Sequence, residues 1–136
     1  AHETEVIPMT TPFWCVLAVL LLPLFLAFTG GYYRGKAFGA ADNHNPRAQA
    51  AKLEGAGARA YAAQANAWEA AILFSATILT THAAGLPAET ATPFALAFVA
   101  CRVLHGIFYL VDLDKARSLA FMGGMACIVT LFVKAA

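Results

Sequence analysis

Two groups of polar residues interrupt an otherwise apolar chain, and their spacing puts each group on one helix face. In RAYAAQANAWE, Arg59 and Asn66 lie seven residues apart and Glu69 three further on, within a sector of roughly 80° on a helix. In CRVLHGIFYL, Arg102, His105 and Tyr109 follow at offsets of three and four and again share a face. Arg117 and Ser118 open the last apolar stretch. A charge in hydrocarbon is costly unless paired or hydrated, so these residues mark either helix-to-helix bridges or a ligand site. Glu69 and Arg102 are the expected ion pair, because each is otherwise uncompensated and their depths correspond. Arg59, Arg102, Lys115 and Arg117 supply more positive charge than Glu69 neutralises, and a cavity of that sign draws an anion. A groove with cations on one side and lipid on the other suits a reaction that joins an anionic molecule to an apolar one.

The elements that position these residues follow from composition. The chain has 136 residues, 60% hydrophobic and 12% charged, with a mean hydropathy of +0.65, which is outside the balance of soluble domains. At about 20 apolar residues per spanning helix, it has room for four spans and no second domain. The expected fold is an all-α integral membrane four-helix bundle with spans near 12–30, 57–81, 92–110 and 116–133. Pro23 is the expected kink of the first span, Gly30 to Tyr33 its end, and Pro93 the first turn of the third. The polar stretch ADNHNPRAQAAKLEGAG is the one long loop, and Gly85, Leu86 and Pro87 form the turn between spans two and three. Glu3 and Glu5 precede the first span without Lys or Arg, unlike the basic start of a secretory signal. Net charge is only +1, with no basic and aromatic interleaving, which argues against nucleic acid as a partner.

Arg34, Lys36, Arg47, Lys52 and Arg59 cluster in or beside the first loop and Lys115 and Arg117 in the last, while the other side holds Lys134. Both basic loops are therefore expected in the cytoplasm and both termini outside. Alanines from Ala58 to Ala71 make the second span a close-packing, central helix, with Gly123 and Gly124 acting likewise in the fourth. Cys15, Cys101 and Cys127 read as small buried hydrophobes, since they form no metal-ligand spacing. His82 lies at the opposite end from His105, His2 and His44 are expected in solvent, and Asp112 and Asp114 are expected to cap the fourth helix.

These motifs together resemble the membrane-associated proteins in eicosanoid and glutathione metabolism, the MAPEG family, over nearly the whole chain. Arg59, Ala63, Gln64, Asn66 and Glu69 match the signature of its second helix in order and spacing. Arg102, His105 and Tyr109 resemble the third-helix stretch of microsomal prostaglandin E synthase. Arg117 and Ser118 are similar to the pair that opens the fourth helix, and Asn45, Pro46 and Arg47 to the loop of bacterial members. Many eukaryotic members carry a second Arg where this chain has Ala62.

The resemblance implies a homotrimer, here of the bacterial inner membrane, with glutathione bound near the cytoplasmic side between adjacent subunits. It implies that Arg59, Asn66, Glu69, Arg102, His105 and Tyr109 bind glutathione. It further implies that Arg117 holds the sulfur as a thiolate and Ser118 adds a hydrogen bond, against a lipophilic small molecule arriving through the membrane lipid. A fixed cation lowers a thiol's pKa, and the thiolate is the nucleophile. Conjugation, isomerisation and peroxide reduction all use that thiolate. The alternatives are a non-catalytic lipid-binding protein on the same fold, or an accessory subunit of a membrane complex.

Overall fold

The structure, a computed structural model, describes residues 6–136, so His2, Glu3 and Glu5 lie outside the described residues. Every element among the described residues is a helix: α1 (Thr11–Phe38), α2 (Pro46–Ala50), α3 (Gly55–Ala83), α4 (Ala88–Leu110) and α5 (Asp114–Ala135). Three of them, α1, α4 and α5, are long and apolar enough to cross a membrane. Outward-facing apolar side chains such as Phe25, Phe28, Ile72, Leu119 and Val133 form a surface that water does not favour. The protein is an integral membrane protein. Helix α3 is equally long but carries its polar residues along its length, and it packs against α1, α4 and α5.

The helix ends depart from the sequence expectation in ways that local chemistry explains. Helix α1 does not end at Gly30 to Tyr33 but runs to Phe38 and stops at Gly39, whose φ of 83° is left-handed. The expected loop from residue 41 to 57 contains α2, started by Pro46 after Asn45. It is tied to α1 by Arg34, whose Nη1 donates to the Asp42 carbonyl at 3.1 Å and to Gln49 Oε1 at 3.3 Å. Helix α4 starts at Ala88, so Pro93 lies inside it rather than in its first turn.

Two hairpins close on the same backbone device. After α3, Leu86 N–H donates to the Thr81 carbonyl at 3.0 Å and Gly85 N–H to that of His82 at 2.9 Å, with Gly85 at φ 95° and Pro87 behind it. After α4, Leu113 N–H donates to Phe108 at 2.8 Å and Asp112 N–H to Tyr109 at 3.3 Å. Asp112 takes the left-handed position there, at φ 61°. This six-to-one and five-to-two pairing satisfies helix-end carbonyls. Asp112 thus ends α4 instead of capping α5, which starts without a side-chain cap. Asp114 sits in its first turn, where the helix dipole favours a carboxylate.

The core lies between the long helices. Phe74 and Phe98, both fully buried, stack with centroids 4.4 Å apart and planes 5° from parallel, and Val19, Ile78 and Leu131 pack into the same cluster. Cys15 and Cys127 are buried within it as free thiols. Small residues set the helix spacing: a Cβ on Gly124 would lie 3.3 Å from the Phe98 ring, and one on Gly30 only 2.5 Å from Tyr61 Cε2.

Gly30→Ala is expected to lower stability by about 1–3 kcal/mol through overpacking. Because the clash is with one ring, Tyr61→Leu in the same chain should recover much of the loss, a non-additivity that thermal unfolding of the two single variants and the double variant would measure.

Candidate functional site

Helix α3 supplies the first wall of the site. Its buried stripe runs through Ala63, Ala67, Ala70 and Phe74. At 100° per residue Asn66 stands at the edge of that stripe, whereas Glu69 lies roughly 130° round from its centre. Arg102 Nη2 accordingly donates to Asn66 Oδ1 at 2.8 Å, and Glu69 is exposed. The expected Glu69–Arg102 pair is therefore replaced, within the chain, by an Asn66–Arg102 hydrogen bond.

Arg59 is occupied as well. Its Nε and Nη2 donate to the Leu110 carbonyl at 3.4 and 3.3 Å. Leu110 is the last residue of α4, where carbonyls lack helical partners and a cation is favoured by the dipole. The contact brings the start of α3 to the end of α4.

Helices α4 and α5 supply the other walls. His105 and Tyr109 on α4 and Arg117 and Ser118 on α5 line one groove of about 350 Å³ with Asn66, Phe121 and Met122. The Arg117 guanidinium carbon sits 4.3 Å from the Tyr109 ring centroid, a cation held over a π face. His105, 3% exposed, meets Tyr109 edge-on at 5.7 Å and tilts toward Phe121 at 6.3 Å. The groove thus gathers Asn66, His105, Tyr109, Arg117 and Ser118; Arg59, Glu69 and Arg102 stand outside it. Phe121 and Met122 have no polar signal in the sequence, but each lies four residues after Arg117 or Ser118, hence on the same face.

In the wall of this groove His105 Nδ1 is buried without a hydrogen-bond partner; Arg102 Nη1 and Gln64 Oε1, outside it, are in the same state. Such atoms are rare in folded proteins and call for an additional partner. A wider opening of about 420 Å³ lies between the end of α1 and the start of α3, lined by Lys36, Lys52 and Glu54 among others. It takes none of the eight expected residues, and its lysines are on the surface. The smaller groove is the better candidate, since its arginine is stacked in place.

The MAPEG family profile matches residues 11–136, a span that takes in all five helices and every residue of the groove. The chain belongs to the MAPEG family. Members of this family generally use glutathione as a substrate or cofactor. No curated protein and no solved structure matches the chain significantly. Of the polar residues within the matched span, Asn66, His105, Tyr109, Arg117 and Ser118 meet at the junction of α3, α4 and α5.

Asn66→Ala removes the partner of a buried guanidinium and is expected to cost about 2 kcal/mol, read as a lower unfolding temperature in detergent. Glu69→Gln, measured without added ligand, should stay within about 0.5 kcal/mol of the parent chain. The reverse ranking would restore Glu69 as the partner of Arg102.

Proposed function

We propose that this chain is a glutathione-dependent membrane transferase or peroxidase, with Arg117 as the group that holds the glutathione sulfur as a thiolate and Ser118 as an added donor. The observation that carries this reading is the Arg117–Tyr109 stack, 4.3 Å from guanidinium carbon to ring centroid, inside a groove shared with Asn66, His105 and Ser118. A stacked guanidinium keeps one orientation, and a cation so fixed favours the charged form of a thiol. Bound glutathione supplies the nucleophile for conjugation, isomerisation or peroxide reduction.

The residues fit such a molecule. A groove of about 350 Å³ falls in the usual range for small-molecule sites. The unpartnered His105 Nδ1 and the Tyr109 hydroxyl offer polar contacts, and Phe121 with Met122 gives the apolar rim that a lipophilic electrophile requires. Arg59, Glu69 and Arg102 complete the cradle from outside the groove. Glu69 faces outward from α3, so it serves the site of a neighbouring copy. This supports a homotrimer with glutathione between subunits. Arg34 is tied to Asp42 and Gln49, which leaves Lys36 and Arg47 as loop cations able to substitute for the arginine missing at Ala62.

In the same reading α3 is a fourth span whose polar face is covered by other helices. The basic α1–α3 and α4–α5 connections, brought to one end by the Arg59–Leu110 contact, face the cytoplasm, with both termini outside and a bacterial inner membrane as the setting.

Calorimetry with glutathione and thiolate difference absorbance test the proposal. The wild-type chain should bind glutathione and develop thiolate absorbance. Arg117→Ala should lose that absorbance and about a hundredfold in kcat/KM against a lipophilic electrophile, with Arg117→Lys between the two. Binding without Arg117-dependent thiolate would favour a non-catalytic lipid-binding or accessory membrane subunit, and no binding would remove glutathione altogether.

A further inference from the structure

The depth at which Arg117 stands limits what can reach it. Arg117 lies in the first turn of α5, two residues after the exposed Lys115, and it stacks on Tyr109, the last residue but one of α4. No charged residue separates Arg117 from Lys134. At 1.5 Å per residue that uncharged stretch is about 26 Å long, close to the hydrocarbon layer of about 30 Å, so Arg117 marks one edge of the layer. Phe121 and Met122 line the same groove one turn on, about 6 Å further into the layer. Met122 and the neighbouring Leu119 are 64% and 74% exposed, so the groove opens sideways onto an apolar surface.

We propose, resting on the glutathione reading above, that the electrophile is a single-chain lipid whose reacting carbon lies next to its polar end. The class is the α,β-unsaturated aldehyde or ketone with its carbonyl at or beside the chain terminus, as opposed to lipids that carry the reacting group in mid-chain. In a bilayer such a molecule keeps its carbonyl oxygen at the watery edge and its chain in hydrocarbon. Its β-carbon then lies at the level of Arg117, and the chain passes Phe121 and Met122 into lipid. Room points the same way. The groove holds about 350 Å³, near the lower end of the range for small-molecule sites, about 300–1,000 Å³, and glutathione takes part of it. One slim end enters beside the tripeptide. A mid-chain group carries alkyl arms on both sides, and one arm has to be packed into the remaining space or drawn into water. In the addition the thiolate sulfur bonds the β-carbon, the alkene electron pair moves onto the carbonyl oxygen as an enolate, and water protonates the α-carbon. The hydroxide so formed takes up the proton that left the thiol, and nothing is oxidised or reduced.

Two isomeric enones, hexadec-3-en-2-one and hexadec-8-en-7-one, test this with the full chain in phospholipid bilayers. They share a formula and a reacting group and differ in its position along the chain. Each rate with glutathione is divided by that isomer's uncatalysed rate in aqueous ethanol. So corrected, kcat/KM should be at least about tenfold higher for the terminal isomer. Met122→Asn should raise KM for the terminal isomer about tenfold, with kcat changed less. Glutathione binding and Arg117-dependent thiolate absorbance report separately on the reading beneath. With both present, equal corrected rates, a preference for the mid-chain isomer, no acceleration of either, or an unchanged KM in Met122→Asn would overturn this inference alone. If either is missing, the glutathione reading falls and this one with it.

Discussion

A guanidinium buried among apolar side chains must be satisfied by fixed partners, and the position of Arg102 constrains most of what surrounds it. Its hydrogen bond to Asn66 ties α3 to α4 at one depth. Two further contacts lie along the same seam, Arg59 with Leu110 and Phe74 with Phe98. Residue numbers climb along α3 as they fall along α4, which defines an antiparallel register with a polar half and an apolar half. The stacked phenylalanines contribute dispersion and buried area; the arginine contributes specificity, because a register slip would strand its charge.

Close approach of the helices depends on side chains that are small rather than on those that are large. In lipid no hydrophobic drive brings helices together, so packing and hydrogen bonding carry the association. The alanines of α3 admit three neighbours, Gly30 admits the Tyr61 ring and Gly124 admits Phe98. With α5 seated in this way, Arg117 comes over Tyr109, and two residues of different helices become one cation-and-ring unit.

Much of this was legible in the sequence, and the failures share a cause. Helical spacing alone groups Arg102 with His105 and Tyr109, because those positions share a face whatever packs against them, whereas Arg117 and Ser118 are grouped only by being adjacent. Spacing does not say which edge of a polar sector turns inward. Asn66 and Glu69 differ by 60° around the helix, and burial of the alanine stripe, a tertiary fact, selects Asn66. Helix ends differ from the limits of the apolar stretch where a helix outlasts it, as α1 does beyond Tyr33, or precedes it, as α4 does before Pro93. The walls of the groove at Phe121 and Met122 are not legible in the sequence, because apolar residues in an apolar helix carry no contrast.

The three residues between Leu110 and Asp114 have a consequence beyond closing a hairpin. A helix rotates 100° with each residue, so the length of this connection sets the phase at which α5 begins. Asp112 holds the chain in its left-handed turn, and four residues after Leu113 N–H is satisfied by Phe108, Arg117 meets Tyr109. One residue more or fewer would swing Arg117 and Ser118 more than a quarter-turn away, out of the groove and toward lipid. The placement of Arg117 and Ser118 is thus written in a count of backbone units, which leaves this short connection little freedom to vary in length.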